Sequence, residues 1–423
     1  MLKLRLVCRQ PPAPREPRSS AAEDLILESD ELRRRDFSRI LLIKLSAVGD
    51  VIHTFPVLNK LRRRYPTARI DWLIKPAMAD LVRHHPGVND VLLFAQDEWA
   101  KPWRNGFSGV RSFTKLAAHI RAARYDLVID LQGQLRSAVF ARLSGAPVRI
   151  GFDRPRASVW QASQRALPAE AYKHCWRGAR EGAWLAYTHR IRVPTLDLHA
   201  VDRNLMVAPM LGIDDGGVDF SFVIPPTAAA KVDRLLHDHG LDAAAGSRLV
   251  FIAPGTIWET KHWTPEGFAS VARYFLGRGF SVALTGSARE MDACNAVAQA
   301  APGSVNLAGR TTLTELAALV RRSAIVLSND SGPMHIAVAL GRPVVSIFGP
   351  TDPLWAGPYR QPDAAVSAGL ACSPCYLRLL RRCPHGHACM SSISSEAVTA
   401  LMEKNLAETS VRPSMPTTMS LAG

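Results

Sequence analysis

Side chains able to do chemistry collect in a few short stretches of this chain. Residues 40–58, ILLIKLSAVGDVIHTFPVL, set Lys44, Ser46, Gly49, Asp50 and His53 among Leu, Ile and Val. Two roles compete for Asp50. At a helix start a carboxylate satisfies free backbone amides and favours the positive end of the dipole, whereas in a cleft the same group takes a proton from a reactant. Residues 328–335, SNDSGPMH, place Asp330, Ser331 and Gly332 between a strand and a helix, where small side chains and bare amides suit an anion the size of a diphosphate. A plain capped helix start explains Ser331 and Pro333 and leaves Asn329, Asp330 and His335 without a reason.

Residues 253–263, APGTIWETKHW, end another strand with Gly255, Thr256 and Lys261 in the loop. An ammonium on a flexible stem can follow charge developing on a departing phosphate; alone on a surface it would be decoration. The loop 285–290, TGSARE, brings Glu290, an acceptor for sugar hydroxyls. Arg149, Arg154 and Arg156 lie in RIGFDRPR, read as a basic, Pro-broken loop that is either solvated surface or a holder for an anionic acceptor. Neither half carries GxGxxG, which disfavours a nicotinamide enzyme.

The elements that position these side chains follow from periodicity. Residues 40–45 are a strand-like apolar run, and Val51, Phe55, Leu58 and Leu61 recur at helical spacing after a tight turn. Strands are expected at 69–74, 91–94 and 126–131, with 132–142 repeating the strand, polar turn and helix pattern. A second series runs through 249–253, 281–285, 305–307, 324–328 and 344–348, with helices opened by Thr264–Pro265 and by a Thr312…Glu315 capping box. Alternating strands and helices with short connections require parallel sheets. The fold class is therefore α/β, two Rossmann-like doubly wound domains facing each other across a cleft. Their expected bounds are 37–210 and 220–405, with a disordered extension at 1–36 and a flexible tail at 406–423.

Length and composition set the frame. The 423 residues suffice for two full cores, and 47% hydrophobic with 21% charged residues describes a globular chain. A formal net charge of +15 attracts polyanions. No zinc-finger spacing, aromatic RNA-binding motif or sustained basic helix supports nucleic acid as partner, so a phosphorylated substrate or an anionic membrane surface is favoured. No apolar run reaches the roughly 20 residues needed to cross a bilayer, and no secretory signal is evident, so a cytoplasmic location is expected.

These motifs together resemble family 9 of the glycosyltransferases, the heptosyltransferases of lipopolysaccharide core assembly. The likeness spans about residues 38–403. It rests on KLSAVGDVIHT, DLVIDLQGQLRS with RIGF, HAVDR at 199–203, PGT…KHW, and NDSGPMH followed by FGPTDP. The resemblance implies the GT-B arrangement and inverting transfer of L-glycero-D-manno-heptose from ADP-heptose to the lipid A–Kdo core. The enzyme would need no obligatory cofactor or metal and would work peripherally on the cytosolic face of the inner membrane. It makes Asp50 the base and Lys261 the charge on the leaving diphosphate. Thr256, Glu290, Thr311, Asp330, Ser331, Gly332 and His335 become the donor site, and the acceptor side of the cleft is expected at Arg149, Arg154 and Arg156, with Arg62, Arg63 and Arg64 meeting the lipid surface. Cys372, Cys375, Cys383 and Cys389, near His385 and His387, leave structural zinc or a disulfide open. Two other readings keep the same residues: a GT-B transferase for another nucleotide sugar or acceptor, and a non-catalytic nucleotide-sugar-binding protein at a membrane surface.

Overall fold

The computed structural model describes residues 30–95, 102–156, 159, 163, 167–168, 170–171, 176, 178–213, 215–241 and 248–411, the side chains of 102–108 and 409–411 excepted. Residues 1–29 and 412–423, which hold most of the expected extension and tail, lie outside the described part. Residues 30–34 are helical and Leu32 is buried in the first core, so packed structure begins before residue 37. The last helix, Ser395–Val411, likewise runs past residue 405.

Two six-stranded sheets form, each wholly parallel. In the first the order is β3-β2-β1-β4-β5-β6, with β1 at Arg39–Ile43, β2 at Arg69–Ile74, β3 at Asp90–Leu93, β4 at Leu127–Asp130, β5 at Val148–Phe152 and β6 at His189–Ile191. The second comprises β7 (Leu249–Ala253), β8 (Ser281–Leu284), β9 (Val305–Asn306), β10 (Ile325–Asn329), β11 (Val344–Phe348) and β12 (Ala365–Ser367), ordered β12-β11-β10-β7-β8-β9. Counted from its own first strand, each sheet has the 3-2-1-4-5-6 order of dinucleotide-binding sheets. Strand order reverses between β1 and β4 in one and between β7 and β10 in the other. Ligands bind at such reversals, outside the carboxyl ends of the strands.

Both faces of the second sheet are covered, as parallel sheets require. Along β7, Leu249, Phe251 and Ala253 join one hydrophobic cluster while Val250 and Ile252 join the other. The expected start signals hold where the side chain can reach its own backbone. Thr264 Oγ1 accepts from Gly267 N at 3.1 Å, and Glu315 Oε2 accepts from Thr312 N at 2.8 Å.

Three expectations change. Residues 149–152, read as loop, belong to β5, because Ile150 and Phe152 alternate inward while Arg149 does not interrupt the ladder. The short strands β6 and β12 carried no pattern of their own. The helix after β1 is two pieces, Val48–Ile52 and Phe55–Arg64, since Pro56 has no N–H with which to continue the first.

The two units meet at the starts of their switch-point helices. A Cβ on Gly49 would stand 2.3 Å from His335 Cδ2, and a Cβ on Gly332 would stand 2.9 Å from Val48 Cβ. Neither position has room for a side chain at this separation. Asp80 Oδ2 adds a second tie, accepting from Thr314 N at 3.0 Å and from its Oγ1 at 2.7 Å. Gly49→Ala is therefore expected to lower the urea-unfolding free energy by about 1–3 kcal/mol, the range for overpacking a filled site. Gly277→Ala, with nothing within 4 Å of its Cβ position, is expected to be neutral or stabilising. Equal effects in the two variants would remove the close-approach account.

Candidate active site

Asp50 stands in the first turn of Val48–Ile52, at the carboxyl end of β1. Its two oxygens have different tasks. Oδ2 accepts from Ala47 N at 3.1 Å, which is the capping role, and Oδ1 faces Lys44 Nζ at 3.3 Å. Lys44 is itself buried and donates to Leu131 O at 2.9 Å, while Leu45 N donates to Gln132 Oε1 at 3.0 Å. The turns after β1 and β4 are thus laced together beneath the carboxylate. The Asp50 side chain is 47% exposed, so a reactant can reach it.

Across the interface, the turn after β10 is built on a buried ion pair. Lys261 Nζ lies 2.6 Å from Asp330 Oδ2, and Thr351 Oγ1 donates to the same oxygen at 2.7 Å. Burial alone would raise the Asp330 carboxyl; Lys261 and Thr351 hold it below its ordinary range. Asn329 locks this turn to the one after β7, its Oδ1 accepting from Trp263 N and its Nδ2 donating to Pro254 O. The Ser331 hydroxyl, at the N-cap of Gly332–Ala339, is buried and without a hydrogen-bond partner. A small capping residue ahead of free helix amides, with an unsatisfied hydroxyl, is an arrangement that accepts an anion.

Glu290 folds over both glycines of the neighbouring turns: a Cβ on Gly255 would stand 2.5 Å, and one on Gly286 3.0 Å, from Glu290 Cβ. Its Oε2 accepts from Ser287 N at 2.6 Å. Thr256 follows Gly255 in the turn after β7, and its carbonyl is hydrogen-bonded to His262 Nε2 at 2.9 Å. Thr311 sits in the loop after β9, immediately before the Thr312 cap, with no contact that ties it to the Lys261–Asp330 pair among those the described residues make.

A cluster of buried histidines joins the halves. His53 Nε2 and His335 Nδ1 are 3.0 Å apart, and the His199 ring lies 5.3 Å from that of His53. His199 Nε2 is hydrogen-bonded to Gly357 O at 3.1 Å. Burial holds the His335 imidazole down to about 4 against the pull of Asp330 and Asp50, and holds His199 down to about 3; His53 is also pushed well below its usual value. Beside them Arg203, the last residue of HAVDR, is buried between Trp176 and Trp355, its guanidinium 4.9 and 4.8 Å from the ring centres, within the field of Asp50. His199, Arg203 and Thr351 were not singled out as site residues, and His53 and Asn329 were noted in their motifs without being assigned a site role. Their signal was membership of the quoted motifs; what it lacked was the partner, always on a distant segment.

The arginines divide. Arg149 does not join the strand-end group: near the start of β5, its guanidinium donates to Ala186 O and Ala146 O. Arg154 and Arg156 follow β5 and are exposed, and Arg156 donates to buried Asp153 Oδ2 at 2.6 and 3.0 Å. Arg190 and Arg192, from β6 and the residue after it, come within 4.0 Å of the same carboxylate, so several cations surround one anion at the carboxyl end of the sheet. Arg62, Arg63 and Arg64 are not a free basic patch. Arg62 donates to backbone carbonyls including Ala68 O and Gly87 O, Arg63 pairs with Asp215 and Asp219, and Arg64 with Asp36.

Cys372, Cys375, Cys383 and Cys389 line one chamber of about 390 Å³ as free thiols. Among the described residues, no three His, Cys, Asp or Glu side chains are gathered as a metal site. The segment braces the Lys261 loop: Leu380 N donates to Glu259 Oε2 at 2.8 Å, and His387 Nε2 is bonded to Thr260 O at 2.7 Å.

The histidines give a pH prediction. Held neutral when folded, they bind protons more readily when unfolded, so stability is present at neutral pH and is lost as pH falls from about 6.5 toward 4. The limiting slope is about 1.4 kcal/mol per pH unit for each such histidine. Calorimetry across this range should show a falling Tm, and a flat profile would contradict the burial of these rings.

Comparison with known proteins agrees with this geometry. The family model described as glycosyltransferase family 9 (heptosyltransferase) matches residues 113–178 and 167–382. The chain is 29% identical to lipopolysaccharide heptosyltransferase 1 of Pseudomonas aeruginosa, over 80% of this chain and 86% of that one. It is 30% identical to lipopolysaccharide heptosyltransferase 3 of Escherichia coli, over 74% and 87%. The E. coli heptosyltransferase WaaC solved with ADP superposes with a TM-score of 0.63 at 25% identity, covering 87% of this chain and 99% of that one. A family 9 glycosyltransferase from Veillonella parvula DSM 2008, 23% identical, shares the fold with a TM-score of 0.69 over 88% and 98%. Two Rossmann-like sheets of identical order, their switch points touching, and a family match over most of the described chain lead to one conclusion: this protein is a glycosyltransferase of GT-B fold and belongs to glycosyltransferase family 9.

Proposed function

We propose that the chain transfers L-glycero-D-manno-heptose from ADP-heptose to the lipid A–Kdo inner core of lipopolysaccharide, with inversion at the anomeric carbon. The observation that carries this reading is the apposition of an accessible carboxylate on one sheet, Asp50, with an anion-accepting helix start and a partly buried ammonium on the other, Ser331–Gly332 and Lys261. Relatives named as lipopolysaccharide heptosyltransferases, and a relative solved with ADP, support the donor and the pathway.

In this mechanism the acceptor hydroxyl gives its proton to Asp50 as its oxygen attacks the anomeric carbon. The bond from that carbon to the diphosphate breaks and ADP leaves with the electron pair. A carboxylate in this role contributes roughly 10² to 10⁴ fold. Lys44, 3.3 Å away, holds the carboxylate in place between turnovers. The helix amides behind Ser331 and the Lys261 ammonium receive the charge that grows on the diphosphate, where preorganised donors act most strongly. Thr256, Glu290 and Thr311 complete the donor side, and His335 bridges it to the base. Arg154 and Arg156 meet the anionic acceptor, and the net charge of +15 favours peripheral contact with an anionic inner-membrane surface.

The direct test is a product assay with ADP-heptose and Kdo–lipid A. Heptosylated lipid and ADP in equal amounts are expected, and ADP-heptose left intact by folded protein would refute the assignment. Asp50→Asn should lower turnover by at least about a hundredfold while ADP binding holds; a variant that melts early yet keeps its specific activity would leave Asp50 only a cap. Lys261→Ala should lose both turnover and stability, because Asp330 is left buried without its cation. Adding Asp330→Asn should restore stability and not turnover; recovery of both would make Lys261 a purely structural residue.

A further inference from the structure

We infer that His53 is a positioning residue: by donating from Nε2 to His335 Nδ1 it fixes His335 in the tautomer whose Nε2 carries the proton, setting a neutral N–H donor beside Gly49 and Asp50. This rests on the heptosyl-transfer reading of the site.

The inference begins with a hydrogen bond that the two rings can make in only two ways while both are neutral. His53 Nε2 and His335 Nδ1 are 3.0 Å apart, with ring centres separated by 4.5 Å and planes at 89°. Either His53 donates, or His335 does. The tie is broken by His53 Nδ1, which is buried with no hydrogen-bond partner. If His335 donated, His53 would have to carry its own proton on that nitrogen, as a buried N–H with nothing to accept it. If His53 donates, the same nitrogen is a bare lone pair, and the unpartnered N–H moves to His335 Nε2, which is not among the fully buried unpartnered atoms. Orphaned buried N–H groups are rarer than under-satisfied acceptors, and leaving a donor unmade has the full desolvation penalty. The arrangement with His53 as donor is favoured, and it leaves the His335 proton on Nε2.

Neutrality of both rings follows from their surroundings. His53 is enclosed by His335, His199, Lys44 and Arg203, all of which oppose a further positive charge. His335 feels Asp330 and Asp50 in favour of protonation, with burial and Lys261 against it, and burial dominates. No charged group is therefore needed to set the tautomer. His53 itself is held by its backbone, Asn204 Nδ2 donating to His53 O at 3.2 Å.

The consequence lies on the far edge of the His335 ring. Its Cδ2–Nε2 side lies against Gly49, close enough that a Cβ there would be 2.5 Å from Nε2, and Gly49 immediately precedes Asp50. Among the described residues Nε2 has no hydrogen-bond partner of its own. An uncharged N–H at that point can orient an oxygen of the donor or acceptor without drawing the Asp50 carboxylate into an ion pair. Because His53 comes from the first unit and His335 from the second, the donor is aimed only while the two are closed on each other.

Long-range proton–nitrogen NMR of the full chain labelled in histidine reads the tautomers directly. The expected spectrum has His53 and His335 both protonated at Nε2, and a His335 proton on Nδ1 would overturn the inference. Kinetics give a second readout. His53→Leu should lower kcat about ten- to a hundredfold with the Kd for ADP unchanged, and His53→Gln, whose amide nitrogen takes the place of Nε2, should recover most of that loss. If Gln and Leu behave alike, His53 is only filling space. Failure of the unaltered enzyme to transfer heptose would sink the functional reading and leave the NMR result standing.

Discussion

Everything in this molecule depends on two glycines having no side chains. Gly49 lies against the His335 ring and Gly332 against Val48, so the first turns of two helices, one from each sheet, can touch. Each helix starts where the strand order of its sheet reverses, the place where a parallel sheet leaves a crevice between diverging connections. Under the proposed function, bringing two such crevices together makes one reaction site of them. In the proposed mechanism the carboxylate of Asp50 and the ammonium of Lys261, each held by its own framework, act on one pair of reactants, which supplies the orientation that bimolecular transfer otherwise lacks.

The charges of the site are arranged so that each half is stable before a substrate arrives. Asp330 is buried and would be costly alone, but Lys261 and Thr351 answer both its charge and its hydrogen-bonding capacity. Asp50 has Lys44 and the Ala47 amide. The cap does not preclude the proposed role of Asp50 as base: one oxygen caps the turn and leaves the other facing Lys44. The histidines between the halves stay neutral because they are buried, which lets the interface close without accumulating positive charge beside Lys44, Arg203 and Lys261.

Much of this was legible in the sequence where cause and effect lie close together. Apolar runs marked the strands, Thr312 with Glu315 and Thr264 with Pro265 marked helix starts, and SNDSGPMH marked the turn between β10 and the helix that follows it. What escaped were features decided by distant partners. Nothing in RIGFDRPR separates Arg149, which turns back to the Ala146 and Ala186 carbonyls, from Arg156, which stays at the strand end on Asp153. Arg62, Arg63 and Arg64 read as a basic patch, yet each is committed to a carbonyl or carboxylate remote in the chain. Short edge strands such as His189–Ile191 have too few residues to show a period, and exist because β5 offers them a ladder. The three histidines sit 136 residues or more apart in the numbering, so only the fold brings them together.

The central claim is that one catalytic gap is built from both switch points, and a crystal structure with a non-transferable ADP-heptose analogue and a Kdo-containing acceptor tests it most directly. The account predicts the diphosphate on the amides behind Ser331 with Lys261 at hydrogen-bond distance, and the acceptor hydroxyl within about 3 Å of an Asp50 oxygen, in line with the anomeric carbon. A diphosphate bound away from Ser331 and Lys261, or an acceptor hydroxyl whose only proton acceptor is a group other than Asp50, would contradict it.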